Sequence, residues 1–176
     1  MFRHAFILFV LIGNSLTVHA ESSRDWWVDD SLLAVLPLAA LGMTFINKDR
    51  EGLIQFSKSI GLNTLAIAAL KDTVDKERPN GNCCDAFPSG HASTAFVSAA
   101  FMHHRYGFRV AIPAYVVATW VGYARVEDDK HFAEDVVAGA AIGFLSSRFL
   151  TTRYRGAQIA PIVRTGYYGL QVNGSF

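Results

Sequence analysis

The chain has 176 residues, room for one domain with a sizeable core but hardly for two. Its formal net charge is +1 with no marked run of Lys or Arg, which argues against nucleic-acid binding through a basic patch. Apolar residues make up 51% and mean hydropathy is +0.23, above a typical soluble domain yet low for a fully embedded bundle, so a membrane role stays open.

Met1 to Ala20 reads as a removable export signal, excluded from the fold. Arg3 and His4 give a basic start, Ala5 to Ile12 a short apolar run, and Val18-His19-Ala20 the small residues that a signal peptidase reads. An uncleaved anchor is the alternative. Residues 21–176 form a single domain, with a helical core over about 30–150. Asp29, Asp30 and Ser31 stand as capping residues before an apolar run from Leu32 to Ile46. A second helix runs from about Glu51 to Val74, its apolar residues broadly at helical spacing. Pro79 to Pro88 is a loop. It holds adjacent Cys83 and Cys84, either two packed thiols or a strained vicinal bridge in an oxidising compartment.

From His91 a run of small residues predicts a helix packed closely on its neighbours. Phe108 to Tyr123 and Phe132 to Leu150 supply the fourth and fifth apolar segments. Gln158 to Val163 and Tyr167 to Phe176 resemble two strands around a turn, a hairpin over about 157–176. The fold class is therefore mainly α: a compact bundle of about five core helices with a short C-terminal β-hairpin. Most apolar segments fall short of the roughly 20 residues that span a bilayer, and Lys58, Asn63 and Pro113 interrupt them. The expected body touches the membrane rather than crossing it.

Three polar clusters sit at the ends of these helices: Lys71-x6-Arg78-Pro79, Pro88-Ser89-Gly90-His91, and Arg125-x5-His131-x3-Asp135. Each residue alone has an ordinary reading, such as a helix-end charge or a turn. Gathered in one pocket they make a phosphate cradle. Lys71, Arg78 and Arg125 match phosphate oxygens, the guanidinium forks two at a time. Gly90 admits a close backbone approach at a helix start, and Ser89 adds a hydroxyl. His131 and Asp135 fall on one side of a helix, so the carboxylate can take a proton from one imidazole nitrogen and leave the other as nucleophile. His91 opposite is the general acid and then the general base. No metal site and no cofactor is implied.

These three motifs resemble the signatures of the type 2 phosphatidic acid phosphatase superfamily, which includes lipid phosphate phosphatases, class A acid phosphatases and vanadium haloperoxidases. The resemblance covers Lys71 to Asp135 by motif and, more loosely, Leu32 to Leu150. It implies a helical bundle and a phosphohistidine mechanism. His131 is then the nucleophile, His91 the acid/base and Asp135 the orienter, with Lys71, Arg78, Ser89, Gly90 and Arg125 holding phosphate. The usual Ser before the third-motif arginine is Ala124 here, which removes one hydroxyl.

The expected activity is metal-independent hydrolysis of phosphomonoesters or pyrophosphates, with a lipid phosphate as favoured substrate and small phosphoesters as the other class. Vanadate-dependent haloperoxidase activity and non-catalytic binding of lipid phosphate are the rivals. The expected location is the periplasm, at a membrane surface. An integral protein with its site facing the periplasm is the alternative.

Overall fold

The computed structural model describes residues 26–82, 84–164 and 167–174. The expected signal, Met1 to Ala20, lies outside them. Five helices follow in order: α1 (Trp26–Ile46), α2 (Arg50–Thr73), α3 (Gly90–Tyr106), α4 (Phe108–Glu127) and α5 (Ala133–Leu150). An antiparallel hairpin closes the chain, β1 (Ala157–Arg164) pairing with β2 (Tyr167–Gly174) from Ala157↔Gly174 to Arg164↔Tyr167. The architecture is mainly α, as expected.

Local chemistry sets several boundaries. Asp49 caps α2, its Oδ1 accepting from Gly52 N at 2.9 Å, and Ser89 caps α3. Gly107, at φ 106°, stops α3 and lets α4 begin at the next residue, a conformation costly for any side chain. Asp135 Oδ2 accepts from Phe132 N at 2.9 Å and so fastens the start of α5. One expectation fails: α1 opens at Trp26, so Asp29, Asp30 and Ser31 stand inside its first turns rather than before them. A capping preference of about 1 kcal/mol is too weak to fix a boundary against the packing of a whole helix.

Helix α3 is the axle, packed against all four other helices. Its small residues, Ala92, Ala95, Ala99 and Ala100, are fully buried or nearly so. The tightest seam faces α5. A Cβ on Gly139 would lie 2.3 Å from Ser89 O, and one on Gly143 would lie 2.3 Å from Ser93 O. Two glycines one helical turn apart thus bring the backbones together.

A hydrophobic core around Leu36, Phe56, Phe101, Met102 and Val121 is accompanied by buried polar residues and by large apolar residues on the outer faces. Ser59, Asn63, Ser93, Ser98 and Ser147 are buried, whereas Leu38 and Phe45 on α1, Leu65 on α2, Val116 and Trp120 on α4, and Val137 and Phe149 on α5 are exposed. Asn63, expected to interrupt an apolar segment, turns inward and accepts from Ser93 Oγ at 3.0 Å. By length and composition, α2 is the one described helix long and apolar enough to cross a membrane.

Successive helices run in opposite directions, so their ends form two polar groups. At one end Asp49 accepts from Arg105 Nε at 2.7 Å, Arg105 Nη2 at 2.5 Å and Tyr106 Oη at 3.0 Å. Arg105 Nη1 also donates to Thr152 O at 2.9 Å, tying the exit of α5 to the α1–α2 turn. Burial pushes the Asp49 carboxyl up, but Arg105 and the Gly52 amide outweigh it and hold the group below its usual range. The opposite end carries the three motifs.

Candidate active site

The motifs meet because backbone bonds hold them there. Ser89 N donates to Asp135 O at 2.9 Å, joining the second motif to the third. The segment between α2 and α3 folds back on itself, Arg78 N donating to Asn82 O at 2.9 Å and Ala86 N to Lys76 O at 3.0 Å. It reaches the third motif through Asn80 N, which donates to Asp129 O at 3.1 Å. Arg125 lies in the last turn of α4, and its carbonyl accepts the His131 N–H at 3.1 Å. His91 is the second residue of α3 and half-buried.

His131 is 3% exposed. Its Nδ1 lies 2.7 Å from the carbonyl oxygen of Ala86. A carbonyl only accepts, so Nδ1 carries the proton and, in the neutral ring, Nε2 keeps its lone pair. Burial is the main reason that the imidazole is pushed down to about 4, and the nearby charges of Arg78 and Lys71 add to it. The ring is thus neutral at neutral pH, with one nitrogen tied and the other a base.

Asp135 was expected to orient His131, but its Oδ2 is 4.0 Å from Nδ1 and bonded to Phe132 N. The reason lies in the helix start: His131 precedes α5, which begins at Ala133, so the two residues do not share a regular helical face. Asp135 instead receives Lys76, whose Nζ is 2.6 Å from Oδ1 and 2.9 Å from Glu134 Oε1. Partial burial opposes the Lys76 charge, yet the bonds to Asp135 and Glu134 prevail and raise its affinity for the proton. The hydrogen-bond partner of His131 Nδ1 is the backbone carbonyl of Ala86.

Arg78 and Lys71 share one carboxylate. Arg78 Nε and Nη2 donate to Asp85 Oδ1 and Oδ2 at 2.9 and 3.0 Å. Lys71 Nζ donates to the Asp85 carbonyl and lies 3.7 Å from Oδ2. The Arg78 fork, then Lys71, hold the Asp85 carboxyl below its usual range even though part of it is buried. Ser89 is fully buried, and its Oγ accepts from Ala92 N at 3.5 Å. A Cβ on Gly90 would meet only Ile67 at 3.8 Å. Packing within the protein therefore does not demand glycine there. Ala124 is buried on the same turn as Arg125 and brings no hydroxyl.

Lys76, Asp85 and the Ala86 carbonyl escape sequence reading. Lys76 is an unspecified position inside the first motif, Asp85 lies between the first and second motifs in a segment without periodicity, and a backbone oxygen has no sequence signature. Cys84, in that segment, is disulfide-bonded, while Cys83 lies outside the described residues. Among the described residues no group of three or more His, Cys, Asp or Glu is arranged to hold a metal ion.

Residues 52–158 match the sequence profile of the PAP2 superfamily. A lipid A 1-phosphatase of Porphyromonas gingivalis is 33% identical over 65% of this chain and 26% of its own length. A lipid A 4'-phosphatase of Helicobacter pylori is 27% identical over 70% of this chain and 68% of its own. The chain thus spans about a quarter of the first relative and about two thirds of the second. Among solved structures, LpxE of Aquifex aeolicus has the same fold, with a TM-score of 0.61 at 23% identity over 82% of this chain and 92% of that one.

Proposed function

The chain belongs to the PAP2 superfamily, and from that premise we propose that it is a phosphatase acting on a lipid phosphate through a phosphohistidine. One observation carries the reading. His131 is buried and neutral, its Nδ1 tied to Ala86 O, and Arg78 and Lys71 are near enough to depress its basicity. A group so placed is a nucleophile facing an anion site.

In the proposed reaction the substrate phosphate takes the Arg78 fork and Lys71 from Asp85, with Arg125, Ser89 and the start of α3 completing the cradle. His131 Nε2 attacks phosphorus and the P–O bond to the leaving group breaks. Protonated His91 gives its proton to the departing oxygen. Water then attacks the phosphohistidine, His91 takes its proton, and the P–N bond breaks to release inorganic phosphate. Cationic donors follow the charge as it moves between oxygens. No metal ion enters these steps.

A lipid substrate is supported by the names of the relatives, two of them lipid A phosphatases. It is also supported by the large apolar residues exposed on the outer helix faces, together with buried Ser and Asn, which suits hydrocarbon as solvent. That pattern favours an integral body over one resting on the surface. The proposed orientation places the catalytic end at the periplasmic face of a Gram-negative cell.

The test is release of inorganic phosphate by the wild type and His131→Ala in the presence of a chelator. The panel is an aryl phosphate, phosphatidic acid, phosphatidylglycerophosphate and a lipid pyrophosphate. Release by the wild type, at least 1,000-fold lower in the variant at unchanged helical content, is the expected result, in the range of lost covalent catalysis. Full activity in His131→Ala would sink the mechanism.

A further inference from the structure

The end of the bundle opposite the motifs holds a cleft of about 480 Å³, lined by Lys48 to Glu51, Arg105 and Thr152 to Arg155. Its floor is internally neutral. Arg105 is 3% exposed and gives Nε and Nη2 to Asp49, and Nη1 to the Thr152 carbonyl, which uses its donors on the protein. The rim is different. Lys48, Arg50, Arg153 and Arg155 are all exposed, and among the described residues none of them forms an ion pair. Glu51 is the one rim acid, and it accepts from Gln55 at 2.9 Å. Four cations against one carboxylate leave an excess of three positive charges around a concave floor.

The immediate surroundings are apolar. Phe45 and Ile46, 68% and 63% exposed, precede Lys48 at the end of α1, and Phe149, 76% exposed, precedes Arg153 at the end of α5. A ligand in the cleft would meet cations at its head and bare hydrocarbon on its flanks. We propose that this cleft binds the phosphate group of an anionic phospholipid, whose acyl chains lie along the ends of α1 and α5. The inference rests on the membrane seating argued above, but not on catalysis. The cleft lies at the other end of the bundle from His131, so its occupant is a bound lipid of the opposite leaflet and not a substrate.

The test is native mass spectrometry of the full chain in detergent, with orthovanadate present as a phosphate mimic to occupy the catalytic end. Phosphatidylglycerol, phosphatidylcholine and inorganic phosphate are added separately. The wild type is expected to retain one phosphatidylglycerol and no phosphatidylcholine. Arg153→Gln/Arg155→Gln is expected to bind phosphatidylglycerol about 20-fold more weakly, two charges near an anionic headgroup being lost. Lys48→Gln/Arg50→Gln, on the other side of the cleft, serves as an independent pair should the first variant fold poorly. Equal retention of the two lipids, or unchanged phosphatidylglycerol binding in both variants, would overturn the proposal. So would capture of inorganic phosphate without the lipid, which would mark a free-anion site. Extraction of the wild type by alkaline carbonate reads the membrane seating separately, and phosphate release reads catalysis, so each failure is recognised on its own.

Discussion

Asp85 holds Arg78 and Lys71, the two cations that the proposed mechanism gives to the substrate phosphate. Binding is therefore an exchange of one anion for another, and Asp85→Asn removes the competitor while keeping its shape. An exposed pair of this kind is worth little, so the expected gain in affinity for inorganic phosphate, read as product inhibition, is up to about 5-fold. Weaker inhibition instead would mean that Asp85 serves to hold Arg78 in place. His131 carries a second prediction. Its folded pKa, about 4, lies below the ordinary 6.5, so above pH 6.5 the ring is neutral in both states and its contribution to stability is complete. As pH falls from 6.5 toward 4 the unfolded chain takes up the proton first, and about 3 kcal/mol is lost. Melting curves of wild type and His131→Gln at pH 7 and pH 5 should show the smaller pH effect in the variant; parallel losses would refute the assignment. All eight motif residues were legible in the sequence as candidates, because cations, imidazoles and a serine at helix ends have few joint explanations. The hydrogen bond of His131 was not, since it depends on where α5 starts and on a main-chain atom of another segment.

At the scale of elements, the α3–α5 seam positions the chemistry. Gly139 sits against Ser89 and Gly143 against Ser93, so a side chain at either must push apart the two helices whose starts carry Ser89, His91 and Asp135. Gly143→Ala is expected to destabilise by about 1–3 kcal/mol, the usual range for overpacking. Gly61→Ala, in α2 with nothing within 4 Å of the new Cβ, should be neutral or stabilising. Thermal unfolding of the two variants side by side checks this; equal melting points would remove the seam from the account. The four later helices were readable to within a few residues from apolar runs bounded by Pro79, Ser89 and the charged stretch at Glu127. The small residues after His91 announced close packing. Where α1 begins was misread, because an acidic pair is as acceptable in a first turn as before one.

For the molecule as a whole, the question is which solvent the outer faces meet. Leu65 is 70% exposed on α2. Leu65→Arg on a water-facing helix should change stability by less than about 0.5 kcal/mol. In hydrocarbon it should cost about 3 kcal/mol. A fall in the carbonate-resistant membrane fraction of the variant is the expected result, and normal behaviour would return the protein to the aqueous side. Mean hydropathy concealed this, for an average does not distinguish apolar residues turned inward from those turned outward, and Asn63 looked like an interruption until it was found facing Ser93. The placement of both polar clusters at helix ends has a consequence for rate. For a body so seated, His131 lies at headgroup depth, and a lipid reaches it by sliding within its leaflet rather than through solution. Turnover should then follow the mole fraction of substrate in the surface, falling when inert lipid dilutes it at constant bulk concentration.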